Sequence, residues 1–295
     1  MADDTDTARA AQPKGGPRRM KGGMNRTMVV LSGDDRMRAA MRDLGAAFAA
    51  WRIWGILGIV DTQTRYRRTA LGPFWITLSL AIQALAIGGI FAGLFGVSFY
   101  DYLPYVAIGL VVWQYMLNTV NETANSFDLA KTLVRNMPLP LAVHVLRAIW
   151  RNVLSMLHHL IFIAAIAAFT AIEIAPVALL AIPGLFLVVL NLTWIGLILA
   201  LVSVRFRDVP FMVMSVMQVL FFVTPVIWSP ERLDTMLHFL TWNPAYHLIE
   251  LVRTPLLGAV PSTLSVAVAI GSAVVGWIAA LAIYGRYQWR VAYWV

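Results

Sequence analysis

In a chain of 295 residues, 60% hydrophobic and 13% charged, there are too few charges to cover a soluble surface, since ordinary globular domains carry about 25%. That balance, with no cysteine for a disulfide framework or a thiolate metal site, points to a polytopic membrane protein built of helices. The formal net charge of +8 gathers at the ends of apolar runs, where headgroups and orientation call for it, so nucleic acid is not the expected partner.

Residues 1–33 are rich in Ala, Gly, Asp, Arg and Pro and have little to bury, which predicts a disordered cytoplasmic tail. No apolar core for a cleavable leader occurs before residue 25, so the N-terminus is expected to stay inside. From residue 34 the pattern changes. Met37, Met41, Leu44, Phe48 and Trp51 recur at three- and four-residue steps among Arg36, Arg38, Arg42 and Asp43. This predicts an amphipathic interface helix over 34–64, lying along the cytoplasmic membrane surface with Trp51 and Trp54 at headgroup depth.

Arg65, Arg67 and Arg68 then form a collar before a long run without charge. About 20 apolar residues span a bilayer core, and an arginine at its centre costs roughly 2.5 to 3.5 kcal/mol, so the collar stays outside the lipid. Six spans are predicted, at about 71–95, 102–120, 153–171, 177–204, 211–228 and 264–284, which returns the C-terminus to the cytoplasm. Charge placement supports that count. The inner segments after the first span hold Lys131, Arg135, Arg147, Arg151, Arg205, Arg207, Arg286 and Arg290, the outer ones only Arg232 and Arg253.

Two connections are more than turns. The inner one, 126–150, is mixed in polarity and interrupted by Pro138 and Pro140, which predicts a short helix followed by a re-entry into the bilayer. The outer one, 229–261, holds two half-length apolar pieces, 233–240 and 245–257, around Trp242, Asn243 and Pro244, which predicts short re-entrant helices.

The chain has only three lysines, and Lys131-Thr132 lacks the glycine loop that cradles phosphates, so this chain is not expected to hydrolyse nucleotide itself. His158 and His159 are adjacent, hence about 100° apart on a helix, and no carboxylate stands at a matching spacing; no metal site is expected. Asn118, Asn121, Glu122 and Asn125 give the second span a polar side near its inner end. Trp75, Tyr105, Trp113, Tyr115, Phe221, Phe222 and Trp228 suit either interfacial belts or a channel wall on which sugar rings stack. The inner turn at 205–210, RFRDVP, joins Arg205, Arg207 and Asp208 to an exposed aromatic, as a cytoplasmic contact surface would.

The stretches TRYRRTALGPFW (64–75), LPYVAIGLVVW (103–113), VRNMPLPLAVHVLRAIWRN (134–152), RFRDVP (205–210), TPVIW (224–228) and NPAYHLIELVRTPLLG (243–258) together resemble the membrane subunit of ABC type-2 exporters. The likeness is to permeases for O-antigen, capsule or teichoic-acid glycans, and it covers nearly everything after residue 34. It implies a single transmembrane domain over 34–295 that pairs as a homodimer in the plasma membrane. Two copies of a separate ATP-binding subunit would carry the ATP and magnesium, and this chain would bind no cofactor.

By that resemblance the interface helix and the linker 126–140 dock on the ATPase, with Asp128, Lys131, Arg135, Arg205, Arg207 and Asp208 as coupling residues. The outer pieces form a gate, with Trp242, Asn243, Pro244, Glu250 and Arg253. From their residue types Trp75, Tyr105, Trp113, Tyr115, Phe221 and Phe222 are the expected channel aromatics, and from charge and shape Arg65, Arg67 and Arg68 are expected to receive the pyrophosphate of a polyprenyl-linked glycan. The competing readings are a same-fold exporter of a small molecule or drug and an ion-coupled secondary transporter, which would want ionisable residues in mid-span.

Overall fold

The computed structural model describes residues 33–65, 67, 69, 71–72, 74–137, 139–170, 175–230 and 240–294, and all regular structure among them is helical. The order is α1 (Gly33–Ala49), α2 (Trp51–Arg65), α3 (Phe74–Phe95), α4 (Phe99–Ala124), the short α5 (Ser126–Leu129) and α6 (Lys131–Asn136), and α7 (Ala142–Thr170). A 3-10 turn (Pro176–Leu180) leads into α8 (Ala181–Arg205), followed by α9 (Val209–Val223), α10 (Pro244–Leu256) and α11 (Thr263–Trp294). The expected tail lies outside the described residues, apart from Gly33.

Among the described residues, five helices are long and apolar enough to cross a membrane: α3, α4, α7, the 3-10 turn with α8, and α11. The bent pair α1 and α2 would make a sixth only if its 62° break were taken as one span. The predicted fifth span over 211–228 is cut short. Helix α9 has 15 residues, about 22 Å, and stops at Val223 two residues before Pro225, which has no N–H to give and crowds the carbonyl four residues back.

Two other boundaries move for tertiary reasons. Helix α7 starts at Ala142 rather than near 153, and residues 142–150 run straight into the span instead of re-entering by themselves. Asp43 of α1 caps it from a distance, its carboxylate accepting from the backbone N–H of Leu141 at 3.1 Å and of Ala142 at 3.2 Å. At the other end of the chain α11 runs on to Trp294, because Tyr284 and Val291 are buried against α1 and the Tyr284 hydroxyl donates to the same Asp43 carboxylate at 2.5 Å. Of the predicted outer pieces, α10 is seen, whereas 231–239 lie outside the described residues.

Helix α4 is the axis of the bundle. Leu103, Val106, Ala107, Leu110 and Val111 are at most 2% exposed, and α3, α7, α8, α9 and α10 all pack on it. Helix α1 is fastened by the small faces of Ala40 and Ala47 and by Leu44, while Met41, Phe48 and Trp51 remain exposed. Thus the apolar set expected on one membrane-facing stripe is divided between bundle and surroundings. Trp54 ties α2 to α7 by an edge contact with Trp150, ring centroids 5.9 Å apart.

Between apolar helices in lipid there is little hydrophobic gain, so association depends on close packing. At Gly184 a Cβ would lie 2.2 Å from the Leu251 carbonyl oxygen of α10, and at Gly276 one would lie 2.1 Å from the Trp194 indole. Gly184→Ala should therefore cost about 1–3 kcal/mol by overpacking and lower the melting temperature in detergent by several degrees. Gly271→Ala, with nothing within 4 Å, should leave it unchanged. Equal melting temperatures would show that α8 and α10 do not pack this closely.

Candidate functional site

Six polar side chains from α2, α4 and α7 meet at the C-terminal end of α4. Arg147 grips Asp61 with two donors, Nε to Oδ2 at 2.6 Å and Nη2 to Oδ1 at 2.5 Å. Arg151 bridges both acids, giving Nη1 to Asp61 at 3.1 Å and Nε and Nη2 to Glu122 Oε2 at 2.9 and 2.7 Å. Asn152 donates to the same Oε2 at 2.6 Å, and Arg65 reaches Oε1 at 2.6 Å. Three guanidinium groups against two carboxylates leave one positive charge in excess, most of it shielded by the partly buried pairs.

This network changes the picture of the arginine collar. Arg65, with its side chain 45% exposed, is partly committed to Glu122, Arg67 is exposed, and Arg68 lies outside the described residues. The i, i+4 spacing of Arg147 and Arg151 on one face of α7, with few acids in the chain to match them, is the sequence signal that could have found the network. Its partners are 29 to 90 residues away, which no local pattern shows.

At the same end, α5, α6 and the turn between α8 and α9 enclose a cavity of about 310 Å³ that brings Asp128, Lys131 and Arg207 together with Ser203 and Trp294. Lys131 donates to Asp128 at 3.3 Å, and Arg205 lies over the rings of Phe206 and Trp294 at 5.2 and 5.9 Å. The proposed coupling residues of two distant segments thus share one surface. Asp208 is exposed there, and the Arg135 side chain is outside the described residues.

A second surface runs at membrane depth between α3, α4 and α9. An open groove of about 570 Å³ is lined by Gln83, Trp113, Gln114, Gln218, Phe221 and Phe222 among others. Trp113 and Phe221 are 5.5 Å apart, Phe221 and Phe222 5.4 Å, and Gln114 donates to Asn118 at 2.9 Å. Rings and amides share this wall with Leu110, Leu117, Met214 and Met217. Of the other expected channel aromatics, Trp75 is exposed near the start of α3, Tyr115 is buried within the bundle, and Tyr105 faces elsewhere.

Tyr105 lies instead against the gate residues, about 26 Å along α4 from Glu122. Arg253 of α10 is 0% exposed; its guanidinium sits 3.9 Å from the centroid of the Tyr105 ring, donates to the Pro225 carbonyl at 2.7 Å and pairs with Glu250. Glu250 also accepts from Thr254. Asn243 caps α10, its side-chain oxygen accepting from the N–H of Ala245 at 3.0 Å and of Tyr246 at 3.4 Å, with Pro244 as the first helical residue. Trp242 is 86% exposed. Burial, reinforced by the Glu250 charge, pushes the Tyr246 phenol above its ordinary value.

Comparison with known proteins accords with this arrangement. The family described as "ABC-2 type transporter" matches residues 54–257. Two relatives from Klebsiella pneumoniae, each described as "O-antigen export system permease protein RfbA", are 19% and 21% identical over 237 residues, covering 79% of this chain and 90% of theirs.

The ion network makes a direct prediction. Asp61→Asn removes the partner that Arg147 and Arg151 share, and at roughly 1–3 kcal/mol for a half-buried pair, amide hydrogen exchange in α2 should rise about tenfold or more in detergent. Lys131→Ala, which removes only an exposed pair, should change exchange nowhere beyond α5 and α6. An unchanged α2 in Asp61→Asn would mean that the network does not hold it.

Proposed function

The chain belongs to the ABC-2 type transporter family, and from that premise we propose that it is the membrane subunit of an ATP-driven exporter of polyprenyl-pyrophosphate-linked polysaccharide. The observation that carries the reading is the groove between α3, α4 and α9. It sets rings and amides at membrane depth, where bare hydrocarbon contact would need neither. Rings stack on sugar faces and amides bond to their hydroxyls. The two Klebsiella relatives, described as O-antigen export permeases, favour an O-antigen-like cargo.

The family brings with it a separate ATP-binding subunit, on which ATP and magnesium would be held. The end of the bundle with Lys131, Arg147, Arg151, Arg205 and Arg207 is read as cytoplasmic, because basic residues are retained inside, and both termini are then cytoplasmic. Two copies of the ATPase would dock at Asp128, Lys131 and Arg207, with α1 and α2 as the interface helices. Two copies of this chain would pair with the open sides of their grooves facing each other. The exposed Gly89 and Gly93 of α3, with nothing within 4 Å, permit a close approach there.

The pyrophosphate is received at the inner leaflet by Arg65, Arg67 and Arg68, whose forked donors match its oxygens. The glycan then passes the wall at Trp113, Phe221 and Phe222 towards α10. A small molecule or drug is the second reading, favoured by the groove volume of about 570 Å³, which lies in the range of small-ligand sites.

Replacing Arg67 and Arg68 by Gln, alone and together with Arg65→Gln, tests the cargo. At about 1.5–3 kcal/mol per charged hydrogen bond, export of lipid-linked glycan into vesicles should fall at least tenfold while ATP hydrolysis persists. Export at the native rate by the triple variant would remove the phosphate role.

A further inference from the structure

After Val223 the chain leaves the helix for Thr224, Pro225, Val226, Ile227 and Trp228, at a depth where carbonyl groups without partners are costly. Side chains take up these groups from two directions. From α4, Tyr102 donates its hydroxyl to the Ile227 carbonyl, and the Tyr105 hydroxyl lies between the carbonyls of Pro225 and Trp228, at 3.2 and 3.0 Å. From the α10 side, Arg253 donates to Pro225 and Asn243 donates to the Thr224 hydroxyl at 2.9 Å.

The space for this socket is cut into α4. At Gly109 a Cβ would lie 3.0 Å from the Val226 carbonyl oxygen and 3.2 Å from Arg253 Nη1, and Val226 itself is 0% exposed. By contrast α9, which enters the socket, is loosely held along its length, and among its residues only Met217 is buried. Its other end follows directly on Arg207 and Asp208, the turn that faces Lys131 and Asp128. One end of α9 is gripped and the other adjoins the surface read as the ATPase contact.

We propose that Tyr105 and Arg253 are positioning residues that make the segment 224–228 a fixed pivot for α9. Movement of the turn at 205–210 swings the far end of α9 about that pivot and carries Phe211, Met214 and Ser215 away from the wall formed by α3 and α4, widening the groove. The pivot is a property of the fold; its use in transport rests on the reading given under Proposed function. A guanidinium is required at 253 because it must donate to a carbonyl with one nitrogen and pair with Glu250 through another, and a ring is required at Tyr105 because the guanidinium lies over it.

The absence of native cysteine makes the test direct. Spin labels are placed on Val223→Cys and Trp242→Cys for the pivot, or on Met212→Cys and Trp242→Cys for the swing. Labelled chain is diluted into unlabelled chain, so that only distances within one protomer count. The native background should give a narrow 223–242 distribution that nucleotide on the assembled exporter leaves alone, and a 212–242 distribution that nucleotide shifts. Tyr105→Phe, or Arg253→Lys should the first not assemble, is expected to broaden the 223–242 distribution at least twofold. Export per ATP should fall at least tenfold while ATP hydrolysis stays within twofold. An unbroadened distribution in both variants overturns the pivot, and broadening with export per ATP unchanged overturns its role in transport. A native exporter that moves no glycan would overturn the cargo alone, since the distances are measured without it.

Discussion

Lipid cannot solvate a charge or an unpaired carbonyl, and that exclusion accounts for most of what is unusual in this chain. Arginines that enter the bundle do so against carboxylates, a carbonyl or a ring, and Arg253 Nε alone of the three guanidinium groups is buried without a partner. Arg147 and Arg151 share Asp61, Arg151 adds Glu122, and Arg253 has Glu250, the Pro225 carbonyl and the Tyr105 ring. The segment 224–228, where proline ends a helix within the bundle, is tolerated because four side chains receive its polar groups.

Helix α4 connects them. Its N-terminal half supplies Tyr102, Tyr105 and Gly109 to the socket, its middle supplies Trp113 and Gln114 to the groove, and its C-terminal end supplies Glu122 to the ion network. Because it is buried nearly throughout, it is the rigid reference against which the less embedded α2 and α9 are placed. The transport reading needs such a division, a fixed post with a mobile wall beside it, and α9, with a single buried residue, is tied down by packing far less than α4.

Much of the fold was legible because hydrocarbon imposes it locally. Uncharged runs of about 20 residues mark α3, α4, α8 and α11, and the charges of RFRDVP mark the turn between α8 and α9. The boundaries that moved were those decided by distant residues. Asp43 lies about a hundred positions before the α7 terminus it caps, and Tyr284 is farther still. Among site residues, Tyr105 and Arg253 each stand out by type, one for a channel and one for a gate, yet the contact of guanidinium and ring across 148 positions has no trace in spacing or composition. The same holds for Asp61 and Glu122. A lone acid near a span end reads as a solvated charge until the arginines facing it are seen.

The central claim is that the basic end of this membrane subunit is gripped by a separate ATP-hydrolysing protein. Affinity purification of the chain from its native membrane in mild detergent tests it most directly. The account predicts an ATP-binding subunit recovered in equal amounts, and lost when Lys131 and Arg207 are replaced by Glu. A chain that purifies without any such subunit, across several detergents and with nucleotide present, would contradict it.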